Sequence, residues 1–190
     1  MPFFDLYKLY LSPHKEFVVK LKNILGFVPG NVVLYRMAFR HRSVAKVLKN
    51  GSRSSNERLE FLGDAILGSV IAELLFKSYP YKEEGFLTEM RSKIVNRVNL
   101  NQLARKMGFE LLIVFDQKTI NVQTKHHSML GDAFEALIGA IYLDKGYNFT
   151  RNFLLKRIVK PYIDVHTLEM TETNFKSKLI EWCQRHGKDI

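Results

Sequence analysis

The sequence has only one cysteine, Cys183, among its 190 residues, so no disulfide can form within the chain. A reducing compartment is the simplest setting for such a protein, and we expect Cys183 to be an ordinary, partly buried residue rather than a reactive thiol. Long apolar runs are also missing, because the longest, Ala65–Ala72, is far too short to cross a bilayer. The first residues lack the basic start and unbroken apolar stretch of a signal peptide. We therefore expect a soluble, cytoplasmic protein.

Acidic residues are scarce relative to basic ones, with 19 Asp and Glu against 29 Lys and Arg and a formal net charge of +10. This imbalance favours a polyanionic partner, of which nucleic acid is the commonest, although basic proteins without such a partner also exist. The hydrophobic content of 46% is sufficient for one compact domain and an appendage without disulfide support.

Strand alternation followed by hairpin turns is absent as well, and helical periodicity dominates. Two strongly apolar stretches, "NERLEFLGDAILGSVIAELLF" and "SMLGDAFEALIGAIYLDKGY", predict long buried helices. Ser54 and Glu57 form a capping-box pattern that predicts the start of the first one. "KNGSRSSNE" and "DQKTINVQTKHH" predict polar loops, and a late amphipathic helix is expected to break or kink at Pro161. The predicted fold is all-α.

Acidic side chains interrupt both apolar helices at helical spacing. On a helix, Glu57, Glu60 and Asp64 fall within an arc of about 60°, and Glu60 and Asp64 are i,i+4 neighbours. Asp132 and Glu135 repeat the pattern at i,i+3 on the second helix. The sequence therefore predicts a helical bundle whose interior gathers carboxylates from two helices.

Four converging carboxylates would repel one another strongly in a low dielectric. A hard divalent cation resolves the repulsion, and oxygen-only ligands suit Mg²⁺ or Mn²⁺. Such an ion lowers the pKa of a bound water and neutralises charge that builds up on a phosphate, so a basic protein with this pocket has the electrostatic pattern of a nuclease. The alternative at this level is that the acids are ordinary solvated side chains.

Four motifs, in order, resemble those of the ribonuclease III family. "ERLEFLGDA", at Glu57–Ala65, is similar to the family signature, and "GDAFEALIGAIYLDKG" is similar to its second acidic motif. "AFRHRS", at Ala38–Ser43, and the "EEG" loop that ends at Leu87 also fit. The resemblance extends over roughly residues 17 to 165.

The resemblance implies an all-α endonuclease domain that forms a homodimer and cuts double-stranded RNA with Mg²⁺. Asp64 and Glu135 match the residues given catalytic roles, and Glu57 matches an acid with a secondary role. Phe61 matches a residue that packs across the dimer interface, although an ordinary core phenylalanine is the alternative. The four positions that match the family's metal-site acids are Glu60, Asp64, Asp132 and Glu135.

The same resemblance implies hydrolysis of both strands to 5′-phosphate and 3′-hydroxyl ends with short 3′ overhangs, in rRNA and mRNA processing. We expect an N-terminal extension at 1–16, the endonuclease domain at 17–165 and a linker at 166–173. The stretch "NFKSKLIEWCQRHGKDI", at 174–190, resembles the first helix of a truncated double-stranded-RNA-binding domain. A plain C-terminal helix is the alternative.

Several cations are candidate phosphate contacts, although each is also consistent with an ordinary solvated side chain. One rival function is a metal phosphohydrolase built on His126 and His127, but its usual adjacent His-Asp pair is absent. A second rival is a non-cleaving module with a ribonuclease-III-like fold that binds structured RNA. The candidate cations are Arg40, Arg42, Lys46, Arg91, Lys93, Arg97 and Lys125.

Overall fold

The computed structural model describes residues 3–47, 51, 53–116, 118, 122–170 and 175–188. Helix accounts for 74% of the structure and strand for 4%, which confirms the all-α prediction. The helices are α1 Phe3–Tyr10, α2 Lys15–Leu25, α3 Val32–Ala38, α4 Glu57–Ser78, α5 Glu84–Val95, α6 Arg97–Lys106, α7 Val122–Lys145, α8 Tyr147–Phe153, α9 Lys160–Tyr162, α10 Val165–Met170 and α11 Phe175–Arg185. Short 3₁₀ turns occupy Arg42–Val44 and Phe109–Leu111.

Helix α7 is the centre of the bundle, and α3, α4 and α6 pack against it. Its fully buried side chains lie on more than one face of the helix, as expected for a helix that other helices surround. Within the described residues, no helix is long and apolar enough to cross a membrane. The α7 side chains with 0% exposure are Leu130, Ala133, Phe134, Ala136, Leu137, Ile138, Ala140 and Ile141.

Helices α4 and α7 cross at two glycines, which allow their backbones to touch. A Cβ atom added to Gly63 would overlap the carbonyl oxygen of Glu135, and one added to Gly139 would overlap the carbonyl oxygen of Leu59. Glycine is required at this crossing because no side chain fits between the two backbones. The acids of α4 and α7 lie within a turn of it, so the close approach brings them to one place.

The entry to α4 differs from the predicted capping box. A short antiparallel hairpin pairs β1 Lys46–Val47, just before the predicted loop, with β2 Arg53–Ser54 inside it, and the residue before the helix is Asn56. Ser54 therefore lies too early to cap the helix, and its Oγ accepts a hydrogen bond from Arg40 Nη1 at 2.9 Å. Ser55 Oγ instead donates to Glu57 Oε2 at 2.9 Å.

Pro161 does not break the late helix. The chain stays helical from Tyr147 to Tyr162, but the segment Leu154–Val159 widens into a π-helix just before the proline. Proline removes an N–H donor and crowds the carbonyl four residues earlier, and a wide turn is one of the ways a helix absorbs this. The predicted kink is thus a local widening of the helix.

The last helices lie where the linker and the RNA-binding segment are predicted. Helix α10 overlaps the expected linker at 166–173, and α11 falls in the stretch that resembles the first RNA-binding helix. Cys183 in α11 is 8% exposed, in agreement with an ordinary buried cysteine. The domain boundaries themselves stay predictions.

Candidate active site

An open pocket of about 930 Å³ lies beside the crossing of α4 and α7. The start of α6 and the 3₁₀ turn at Arg42–Val44 complete its wall. All the acids predicted from the sequence line this pocket, and so does Phe61. The lining residues are His41, Arg42, Ser43, Arg53, Asn56, Glu57, Glu60, Phe61, Asp64, Arg97, Met129, Asp132 and Glu135.

The predicted burial of the carboxylates is only partly correct. Glu60, Asp132 and Glu135 are half-buried, whereas Asp64 is exposed. The acids of α4 lie on the edge of the helix that faces the open pocket, so solvent reaches them even though Leu59 and Gly63, each one residue before an acid, are buried. The structure brings the four acids together in one pocket, and their roles stay predictions.

Burial and the proximity of the other acids shift the pKa values of the acids in this pocket. Burial, followed by the charges of Asp64, Glu60 and Asp132, raises the pKa of Glu135 from 4.5 to about 7. Burial also raises the pKa of Glu60 and that of Asp132, against an opposing effect of nearby arginines. The pocket therefore concentrates more negative charge than its own side chains neutralise.

Two arginines lie at the rim of the acidic pocket. Arg97 Nη2 is 3.8 Å from Asp132 Oδ1, and Arg42 Nη1 is 4.0 Å from Glu57 Oε1. Both arginine side chains are largely exposed, so these are weak surface ion pairs that a competing charge can displace. The rim can thus offer cations to a phosphate while the interior stays acidic.

The donor set of the pocket fits a hard divalent cation in its chemistry, because it consists of carboxylate oxygens. Burial raises the pKa of Glu135 most, and the charges of the neighbouring acids raise it further; such a cation would relieve that second contribution. In the part of the chain that the structure describes, however, no three His, Cys, Asp or Glu side chains are close enough together to hold a metal ion. The side chains would therefore have to converge on the ion.

The prediction that Lys93 contacts phosphate is wrong. Its side chain is only 5% exposed, and Nζ lies 2.8 Å from Glu89 Oε1 within α5. A buried lysine needs such a partner, and the pair leaves no free charge for RNA.

The other predicted cations are placed unequally. Arg42 and Arg97 line the pocket, and Arg40 is held by Ser54. Lys46 and Arg91 are exposed and do not line it, although Arg91 lines a second pocket that Asp64 also borders. The side chain of Lys125 lies outside the described residues, as do those of His126 and His127, so the histidine hypothesis stays untested. The backbone at these positions belongs to α7, which begins at Val122 where a polar loop is predicted.

Sequence reasoning missed three polar residues around the site. His41 Nδ1 accepts the N–H of Ser43 at 3.1 Å, and burial, then the charge of Arg42, lowers the pKa of the His41 ring. Asn101 on α6 accepts the N–H of Gly131, next to Asp132, at 2.7 Å. Asn56 is buried in the pocket wall. His41 lies within the quoted motif "AFRHRS" and Asn56 is the first residue of the stretch that predicts the first apolar helix, whereas Asn101 carried no sequence signal.

A family model described as Ribonuclease-III-like matches residues 31–162. The chain belongs to the ribonuclease-III-like family. It is 45% identical to Ribonuclease 3 of Flavobacterium psychrophilum over 95% of this chain and 74% of that protein. It is 49% identical to Ribonuclease 3 of Azobacteroides pseudotrichonymphae and 44% identical to that of Bacteroides fragilis, but it spans only 66% and 63% of their lengths.

Solved structures agree with this assignment. The nuclease domain of ribonuclease III from Campylobacter jejuni has a TM-score of 0.67 at 34% identity, covering 76% of this chain and 98% of that one. That structure is described as showing flexibility in a region involved in dimer formation. The family and the fold predicted from the signature motifs are therefore confirmed, and this chain has the ribonuclease-III-like nuclease fold.

Proposed function

We propose that this ribonuclease-III-like chain is a Mg²⁺-dependent endoribonuclease, a hydrolase that cuts double-stranded RNA as a homodimer. The observation that carries the proposal is the pocket in which Glu60, Asp64, Asp132 and Glu135 meet under a rim of exposed arginines. Acids inside and cations at the rim suit a phosphodiester substrate, because the rim attracts phosphates and the interior holds the activating cation.

Glu60, Asp64, Asp132 and Glu135 would hold Mg²⁺, with Mn²⁺ as a substitute. When bound, Mg²⁺ supplies positive charge against the phosphate and a water of lowered pKa. Arg42 and Arg97 bind phosphates that flank the cut. Hydrolysis in which water attacks phosphorus and the 3′-oxygen leaves gives 5′-phosphate and 3′-hydroxyl ends. Asp64 and Glu135 are the proposed catalytic residues, and Glu57, tied to Ser55 and Arg42, has a secondary role.

Phe61 supports the proposed homodimer. Its side chain is 82% exposed at the edge of the pocket, so it is not an ordinary core phenylalanine of a single chain. Such a large exposed apolar residue is the type that anchors an interface. One acidic site in each subunit, with the two sites offset along the duplex, would give short 3′ overhangs.

The substrate class follows from the same surface. Cations at the rim contact phosphates and give weak sequence preference, as expected for recognition of A-form RNA by shape. We propose rRNA and mRNA precursors as substrates and the cytoplasm as the compartment. We propose in addition that helix α11 belongs to a second RNA-binding region.

The deciding experiment incubates the purified chain with a long RNA duplex at low salt, with Mg²⁺ or with chelator. Short duplexes with 5′-phosphates should appear only with Mg²⁺. Glu135→Gln should slow cleavage by more than about 100-fold, because even outer-shell partners of a metal are worth about 10- to 100-fold. Glu16→Gln, on the exposed surface of α2, is the matched control and should cleave normally.

A non-cleaving RNA-binding module is the second candidate function. It predicts an intact duplex, clear RNA binding, and no change in binding for Glu135→Gln. The four acids in one pocket favour the enzyme, since a module that only binds RNA gains nothing from acids that repel phosphates.

A further inference from the structure

Asn56 is an unusual polar residue in the wall of the pocket. It is the residue before α4 and is only 2% exposed. Its side-chain Nδ2 has no hydrogen-bond partner among the described residues, and its side chain does not cap the helix. An amide nitrogen can only donate, and a buried donor without an acceptor is costly, so it calls for an explanation.

Glu60 lies one helical turn after Asn56, and its carboxylate lacks a hydrogen-bond donor in the ranges that the structure describes. The two are i,i+4 neighbours, and the N–H of Glu60 donates to the carbonyl of Asn56 at 2.9 Å. The carboxylate of Glu60 is half-buried, yet no hydrogen bond or ion pair holds it within the described part of the chain. Asn56 and Glu60 thus line the same pocket one helical turn apart, and the first has a donor without an acceptor where the second has an acceptor without a donor.

The other acids of α4 are weaker candidates for this donor. Glu57 is already held by Ser55 and lies near Arg42, and as the next residue in sequence it does not share a helix face with Asn56. Asp64 is eight residues away, about 12 Å along the helix axis, which exceeds the reach of two short side chains. Glu60 is the acceptor that the helix geometry favours.

We propose that Asn56 is a positioning residue that donates its Nδ2–H to one carboxylate oxygen of Glu60 while the other oxygen holds the divalent cation. The inference rests on the proposed metal site. Rotation about the Glu60 side-chain bonds makes the contact, so arrival of the cation would satisfy both groups together. A neutral amide suits this role because it fixes the carboxylate without adding a positive charge that competes with the ion.

The test measures Mn²⁺ affinity by calorimetry on the full chain and, in parallel, thermal unfolding in chelator. Asn56→Leu keeps the size of the side chain but removes the donor. We expect Mn²⁺ affinity to fall about 10-fold, the lower end of the range for outer-shell partners. The metal-free variant should be at least as stable as the original, because a buried orphan donor is gone. A merely structural asparagine would not give this combination.

Two backgrounds separate action through Glu60 from a general effect. With Glu60→Ala, Asn56→Leu should no longer change Mn²⁺ affinity, whereas with Glu135→Gln the 10-fold loss should persist. Unchanged affinity in Asn56→Leu, or the same loss in both backgrounds, overturns the role of Asn56 and leaves the metal site standing. If the original chain binds no Mn²⁺ at all, the proposed metal site fails first.

Discussion

Helices α4 and α7 each carry a pair of acids within an apolar sequence, but the two helices differ in how far they are buried. Helix α7 is enclosed on all sides through its middle turns, and its Glu135 has a pKa raised to about 7. Helix α4 is half in the core and half outside, with Asp64 exposed and Phe61 and Phe76 exposed by 82% and 71%. The comparison indicates that α7 supplies the enclosed half of the site, where burial raises the pKa of an acid most strongly. Helix α4 supplies the exposed half, which carries Phe61, the proposed dimer contact.

Removing the close contact between the two helices should have the largest effect. Gly63→Ala would force a methyl group into the backbone of α7 at Glu135, so we expect a loss of about 3 kcal/mol in unfolding free energy and loss of cleavage. Chemical denaturation, monitored by circular dichroism, measures the change in unfolding free energy. Gly68→Ala is the control on the same helix: a Cβ there meets nothing within 4 Å, and the change should stabilise α4 by about 0.5–1 kcal/mol. Equal effects of the two changes would contradict the crossing.

The exposed face of α4 comes next. Phe61→Glu should weaken self-association at least about 30-fold, because central aromatic anchors carry about 2 kcal/mol or more of an interface and a charge there is unfavourable. Sedimentation over a concentration series measures the dissociation constant. Leu111→Ala, at a similarly exposed residue away from the pocket, should leave it unchanged. A dimer that tolerates Phe61→Glu would show that α4 is not the interface.

The burial of Glu135 predicts a pH effect on the metal-free chain. Its pKa is about 7 in the folded state against an ordinary 4.5, so between these values the folded chain retains a proton that the unfolded chain releases. Stability should therefore fall as pH rises from 4.5 to 7. Glu135→Gln cannot ionise and should unfold a few degrees higher than the original above pH 7, with little difference near pH 4.5. Thermal scans in chelator at several pH values check this, and an advantage confined to low pH would contradict it.

The rim arginines should give the smallest effect. Arg97→Ala removes one exposed cation next to Asp132, so affinity for an RNA duplex should fall a few-fold. The magnitude of the slope of log affinity against log salt concentration should decrease by about 1, which is the contribution of a single phosphate contact. Lys93→Ala is an informative comparison, because its buried charge is paired with Glu89: it should lower stability without changing the salt slope.

The sequence was sufficient for the parts of the site that depend on local periodicity. The apolar runs of α4 and α7 predict buried helices, and acids at i,i+3 or i,i+4 share a face whatever the tertiary structure. Once both helices lie in one core, their acidic faces have few places to meet. The pocket itself was therefore predictable in outline, and the signature motif gave the family.

Features that depend on a distant partner were not predictable in this way. Gly63 and Gly139 look like weak points in a helix until the opposite backbone is known. Two-residue strands such as β1 and β2 are too short to show alternation, so the hairpin that holds Ser54 away from the cap position of α4 was missed. From the sequence, Lys93 is expected to be an exposed cation, because the sequence does not show which face of α5 packs against the rest of the protein.

Contact between main chains at Gly63 and Gly139 also sets how this protein can change over time. Main-chain atoms are the same in every residue, so the spacing between the two acid pairs does not depend on which apolar side chains fill the rest of the bundle. Larger and smaller apolar residues can replace one another at those positions, at some cost in stability, without changing the distance between the two acid pairs. Because the two backbones touch at these glycines, substitutions among the apolar core residues should be tolerated, whereas substitutions at Gly63 or Gly139 should not.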